Sequence, residues 1–134
     1  MFTQKCFIRK NTSSLFKRLE QIGGRSGVAF QHEKYNTLSV SPDFFRCVRD
    51  DSTELLINDG YIDCGTNEEL FLAIAALRDD ADKNQWFVHK DGNFIFCDQY
   101  ELKNVIDNSD EYMDYCVADF HKATFPELIE HFKP

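Results

Sequence analysis

The sequence predicts an α+β fold, a mostly antiparallel sheet with three capped helices packed on it, as a single domain over residues 1–134, and two observations carry the prediction. Three times a strand-like run leads to a threonine and then to an apolar helical pattern: residues 5–10 before Thr12, 61–65 before Thr66 and 119–123 before Thr124. Three positions after Thr66 and Thr124 stand Glu69 and Glu127, so a hydroxyl and a carboxylate can satisfy the free N–H groups of a helix start reciprocally. The second observation is Asp91-Gly92 between the apolar runs 85–90 and 93–97, the dipeptide of tight hairpin turns.

Taken in order, 5–10 is a strand, and a helix from 13 to 21 follows with Leu15, Phe16, Leu19 and Ile22 on one face. Gly23-Gly24 stops it, and 27–31 is a short strand. Residues 32–59 leave two readings open: Leu38 and Val40 alternate like a strand, while Ser41-Pro42 before Phe44, Cys47 and Val48 resembles a capped helical turn. The stretch from 67 to 78 is apolar around its whole circumference and predicts a helix buried on more than one side.

A two-residue turn at Asp91-Gly92 would set His89 opposite Phe94, Val88 opposite Ile95, Phe87 opposite Phe96 and Trp86 opposite Cys97. Trp86, Val88, Ile95 and Cys97 would then share one face, and Phe87, His89, Phe94 and Phe96 the other. Both faces are apolar, so the hairpin is covered on both sides by its own chain or by another molecule. Residues 98–114 read as acidic surface with one helical turn near Leu102, Val105 and Ile106; 115–123 reads as a last strand, and Phe125, Leu128, Ile129 and Phe132 as the apolar stripe of a final helix capped by Thr124.

Charge narrows the function classes. With 23 acidic and 15 basic residues the net charge is −8, which opposes binding to nucleic-acid phosphates or anionic lipid unless basic residues cluster. Lys5, Arg9, Lys10, Lys17, Arg18 and Arg25 do concentrate in the first fifth of the chain; Lys17 and Arg18 read as the solvated side of a helix. The five cysteines are odd in number and lack CxxC spacing, which predicts free thiols in a reducing cytoplasm. No run has the length of a signal sequence or a membrane span, so a soluble cytoplasmic protein without a membrane partner is expected.

Few residues suggest chemistry. Asp80, Asp82, Asn84 and Asp91 fall at the first, third, fifth and twelfth positions of a calcium loop, but Gln85 stands where the sharp turn needs glycine and a strand follows. A charged connection explains them better, and no metal or other cofactor is expected. Cys64 precedes a helix start, where the helix dipole can activate a thiol. None of His32, His89, His121 and His131 is near it in sequence to act as a base, and Asp63, Glu68 and Glu69 would oppose the thiolate. The glycines around Arg25 follow a helix and precede a strand, the reverse of the order a phosphate cradle needs.

Segments 63–80 (Asp63-Cys64-Gly65-Thr66-Asn67-Glu68-Glu69 into Leu70–Asp80) and 120–133 (Phe120-His121-Lys122-Ala123-Thr124-Phe125-Pro126-Glu127 into Leu128–Lys133) resemble a group of small uncharacterised bacterial proteins from accessory and mobile-element genes of gut bacteria. The likeness lies in capping and core residues over under a third of the chain; it implies a bacterial cytosolic setting and carries over no catalytic residue. The residues themselves favour a non-enzymatic, self-associating or protein-binding module, with Phe87, His89, Phe94 and Phe96 as its contact surface. Two alternatives are an acidic decoy that mimics nucleic acid before a DNA-binding enzyme, and an enzyme that uses Cys64.

Overall fold

The computed structural model describes residues 4–22, 36–42, 44–78, 81–108, 110–112 and 114–133. It is a mixed α+β fold with two mainly antiparallel sheets in place of the one expected. In the first sheet the order is β3-β2-β1-β4, formed by Phe44–Val48 (β3), Thr37–Ser41 (β2), Cys6–Ile8 (β1) and Ile62–Asp63 (β4). β1 runs antiparallel to β2, with Cys6 opposite Val40 and Ile8 opposite Leu38, and parallel to β4. The second sheet is ordered β6-β5-β7, from Phe94–Cys97 (β6), Gln85–His89 (β5) and Phe120–Lys122 (β7).

Among the described residues five α-helices complete the fold: Ser13–Gln21 (α1), Thr53–Asn58 (α2), Glu68–Ala75 (α3), Leu102–Asp107 (α4) and Phe125–His131 (α5). Helix α3 is the centre of the core, as its apolar circumference requires. Leu70 to Ala75 are all buried, and the helix packs against β1, α1 and α5. One apolar cluster joins Cys6, Ile8, Leu38 and Val40 of the first sheet, Val88 of the second, Leu15 and Leu19 of α1, and Leu128 of α5. At the end of α3 the side chain of Gln85, itself buried, donates to Ala76 O at 2.6 Å and accepts from Arg78 N at 3.3 Å, which satisfies helix-end groups that would otherwise be stranded.

The helix starts divide into two as expected and one displaced. Thr12 accepts from Leu15 N at 3.1 Å, and Thr124 forms a full capping box with Glu127, whose carboxylate takes the Thr124 N–H at 3.0 Å. The cap of α3 is Asn67, not Thr66. Asp63 Oδ1 accepts the Gly65 N–H at 2.8 Å, Gly65 turns through a φ of +59°, and the chain enters the helix one residue late. Asn67 Oδ1 then accepts from Leu70 N at 3.1 Å, a role that asparagine fills as well as threonine.

Three further expectations change. Residues 44–48 form a strand paired with β2, not a helical turn, so the alternation at Leu38 and Val40 was the better guide. The last strand is only three residues long, because Val117–Asp119 form a 3-10 turn before it. α4 is a covering element as well as acidic surface: Leu102 and Ile106 are buried against Phe87, Ile95 and Cys97. The expected strand 27–31 and the Gly23-Gly24 stop lie outside the described residues.

The hairpin register is shifted by one. Gly92 N donates to His89 O and His89 N to Asn93 O, both at 2.8 Å, so the loop has three residues, Lys90-Asp91-Gly92, with Gly92 at φ +96°. Asp91 reinforces it by accepting the Asn93 N–H at 3.0 Å. The pairs are therefore Val88 with Phe94, Phe87 with Ile95, Trp86 with Phe96 and Gln85 with Cys97. A one-residue slip turns every β6 side chain to the other face. Trp86, Val88, Phe94 and Phe96 share one side; Phe87, His89, Ile95 and Cys97 share the other.

Candidate interaction surface

The two faces have different fates. The side with Phe87 (6% exposed) and His89 (7% exposed) is closed by α4 and by Phe120 of β7. The His89 ring lies 4.8 Å from Phe120 and 4.4 Å from Tyr115, with Nδ1 2.9 Å from Asp91 Oδ1, so it ties the hairpin loop to the segment before β7. Phe87 and His89 are thus internal. The expected surface of Phe87, His89, Phe94 and Phe96 does not exist as one face, because the three-residue loop divides it.

The other side is partly open. Trp86 makes a tilted contact with Phe96 and an edge contact with Phe132, both at 5.3 Å between ring centroids. His131 stacks on Phe94 at 4.0 Å with 12° between the planes. Val88 reaches the core beneath them, while Phe96, at the strand's outer edge, keeps 42% of its surface exposed. Between Trp86 and Phe96 on one wall and Leu72 and Ala73 of α3 with Ala76 at its C-terminal cap on the other lies a groove of about 310 Å³, rimmed by Arg18 and Glu69. Those two rim groups form an ion pair at 3.0 Å across 51 positions of sequence, a feature no local pattern reveals.

Pairing also offsets part of the basic concentration near the start of the chain, of which Arg25 lies outside the described residues. Arg9 bridges to Asp63 at 2.9 Å, Lys10 to Glu68 at 3.4 Å, and Lys5 donates to Asp59 O at 2.7 Å. Burial alone would raise the Asp63 carboxyl, but the Arg9 guanidinium and the Gly65 N–H hold it below the usual carboxylate range. Elsewhere the balance is opposite: residues 98–119 carry seven acidic side chains and one lysine, Lys103, and of these acids Asp119 is bridged by Lys90 at 3.4 Å. This strip follows β6 directly and contains α4.

Cys64 is buried and directs its thiol toward Ile62 O at 3.8 Å, beside Cys6. Burial, then the Cys64 neighbour, pushes the Cys6 thiol well above its ordinary range. Of the described histidines, His89 faces Asp91, His121 Nε2 lies 2.9 Å from Glu127, and His131 stacks on Phe94; none is paired with Cys64. The calcium-loop positions do not converge. Asp82 caps the Leu102 N–H at 3.0 Å and faces Lys122 at 3.7 Å, Asn84 sits at φ +67°, and Asp91 is at the far end of β5; Asp80 lies outside the described residues. Among the described residues no three His, Cys, Asp or Glu side chains are grouped to hold a metal ion, and no helix is long and apolar enough to cross a membrane.

Compared with protein-family profiles, curated proteins and solved structures, the chain matches none.

Proposed function

We propose that this protein is a non-enzymatic protein-interaction module whose contact surface is the Trp86, Phe94 and Phe96 side of the hairpin together with the adjoining α3 groove. The observation that carries the reading is Phe96: a large aromatic side chain, 42% exposed, beside the chain's single tryptophan and above a recess whose apolar floor, Leu72, Ala73 and Ala76, has a polar rim of Arg18, Glu69 and Asn84. Such a patch costs solubility when uncovered and is characteristic of the centre of a binding surface. Against the competing use of Cys64, among the described residues no base contacts its thiol, which is buried.

A photo-crosslinking residue at position 96 tests the reading. It should give discrete protein adducts, with a second copy or with another protein, while the same group at the exposed Lys103 gives none. Adducts at 103 alone, or at neither position, would refute it. A second reading, the acidic decoy of a DNA-binding enzyme, draws on the acid strip at 98–119; that contact would centre on 103 and spare 96.

A further inference from the structure

We infer that the outer edge of β6 accepts an extended segment of a partner protein as a fourth strand of its sheet, and that this segment carries lysine or arginine beside alternating apolar side chains. The inference rests on the interaction-module reading and names the occupant. In an antiparallel ladder, successive residues turn their backbone groups alternately toward and away from the neighbouring strand. His89 N bonds to Asn93 O, and Asn84 N bonds to Cys97 O, which fixes the odd positions of β6 as those facing β5. The N–H and C=O groups of Phe94 and Phe96 therefore point outward. Among the described residues β6 pairs with β5 alone, and nothing bonds to those outward groups.

Edges of this kind are normally blunted by a charge, a proline or a bulge. Phe94-Ile95-Phe96-Cys97 contains no charge and no proline, and its ladder with β5 runs without interruption from Val88–Phe94 to Gln85–Cys97. Both sides of the edge are also recessed at Phe96. One side opens on the α3 groove; the other on a depression of about 340 Å³ lined by Phe96, Gln99, Asn104, Val105, Asn108 and Tyr112. An added strand alternates its side chains between the two faces of the sheet, so each recess would receive every second residue.

Charge selects the partner. Asp98 lines the second recess, whose other walls, Phe96 apart, come from the stretch 98–119 with its seven acids and one lysine, a local negative field that favours a basic segment and slows a neutral or acidic one. A second copy of the chain is the poorer occupant, because it carries the same net charge of −8 and would bring the same strip to a self-complementary contact.

The test uses the full chain, ¹⁵N-labelled, with three synthetic peptides: an alternating Val/Thr strand with a lysine at each end, the same peptide N-methylated at alternate residues, and the same peptide with glutamate at each end. The lysine peptide should quench or shift Trp86 fluorescence and slow exchange of the Phe94 and Phe96 amides by about tenfold or more, with affinity falling as salt is raised. The N-methylated peptide, which lacks the donors of a ladder, and the glutamate peptide should bind at least about tenfold more weakly. Equal binding of the N-methylated peptide, or unchanged Phe94 and Phe96 amides, would overturn the inference. Amide protection that rises with protein concentration alone would assign the edge to a second copy, overturning the basic-segment partner while leaving the interaction module intact. Failure of all peptides with persistent adducts at position 96 would likewise remove only the edge inference; failure of both would remove both readings.

Discussion

Asn67 joins two helix ends, and its replacement gives the sharpest check on the local structure. Its Oδ1 accepts the Leu70 N–H at the start of α3, while its Nδ2 donates to Phe132 O at 2.8 Å, at the C-terminal end of α5. Loss of an N-cap costs about 1 kcal/mol, and loss of a part-buried amide–carbonyl bond about 1 kcal/mol more. Asn67→Ala should therefore destabilise the protein by about 2 kcal/mol, which for a chain of this size lowers the thermal midpoint by about 6–10 °C. Asn67→Asp keeps the cap acceptor but not the donor, and should cost about half as much. Thr66→Ala removes an exposed side chain that caps nothing and should stay within about 0.5 kcal/mol of the parent. Thermal and urea denaturation of the three variants decide the matter. A loss at Thr66→Ala as large as that at Asn67→Ala would show that the helix begins where the sequence pattern first suggested.

Other outcomes follow from the hairpin and the ion pairs. Gly92→Ala places a side chain at φ +96°; the new Cβ meets nothing within 4 Å, so the cost is backbone strain alone, about 1–2 kcal/mol in urea unfolding. Phe87→Ala empties a buried site and should cost about 3–5 kcal/mol, whereas Phe96→Ala should cost less than about 1 kcal/mol; a reversed order would restore the two-residue turn. The Glu127 carboxyl, although raised by burial, is held below its ordinary value by the Thr124 N–H and His121, and Asp63 is similarly depressed by Arg9. Depressed carboxyls stabilise the fold above their unfolded pKa, and that contribution is lost as pH falls through the folded value; stability should thus decline below about pH 4, and Asp63→Asn should flatten the decline seen in acid titration.

What the sequence revealed was what a few neighbouring residues decide. Thr124 and Glu127 are three apart, and everything the capping box requires lies within that turn. Thr66 and Glu69 have the same spacing, yet Asp63 captures the Gly65 N–H and delays the helix by one residue, a competition that the capping pattern does not contain. Asp91-Gly92 marks a hairpin for loops of two or three residues alike. The choice between them depends on His89, Asp91 and Asn93 bonding together, and that choice decides which phenylalanines are core. The 3,4 spacing of Leu102, Val105 and Ile106 disclosed a helical turn, but its role as a cover over Phe87 and Ile95 depends on tertiary contact. At the candidate surface, a two-residue turn sets Phe94 and Phe96 on the face opposite Trp86, whereas the observed register puts the three on one face, and the Arg18–Glu69 rim arises only when α1 meets α3.

Among the described residues β6 presents an unpaired, uncharged edge beside an exposed Phe96. Residue-resolved amide hydrogen exchange on the unliganded protein tests it most directly. The Phe94 and Phe96 amides should exchange close to the rate of unprotected peptide, while the Ile95 amide, turned toward β5, is retarded with the core of the sheet. Equal, strong protection of Phe94, Ile95 and Phe96 at dilute concentration would show that the edge is already covered within the chain and would contradict the account.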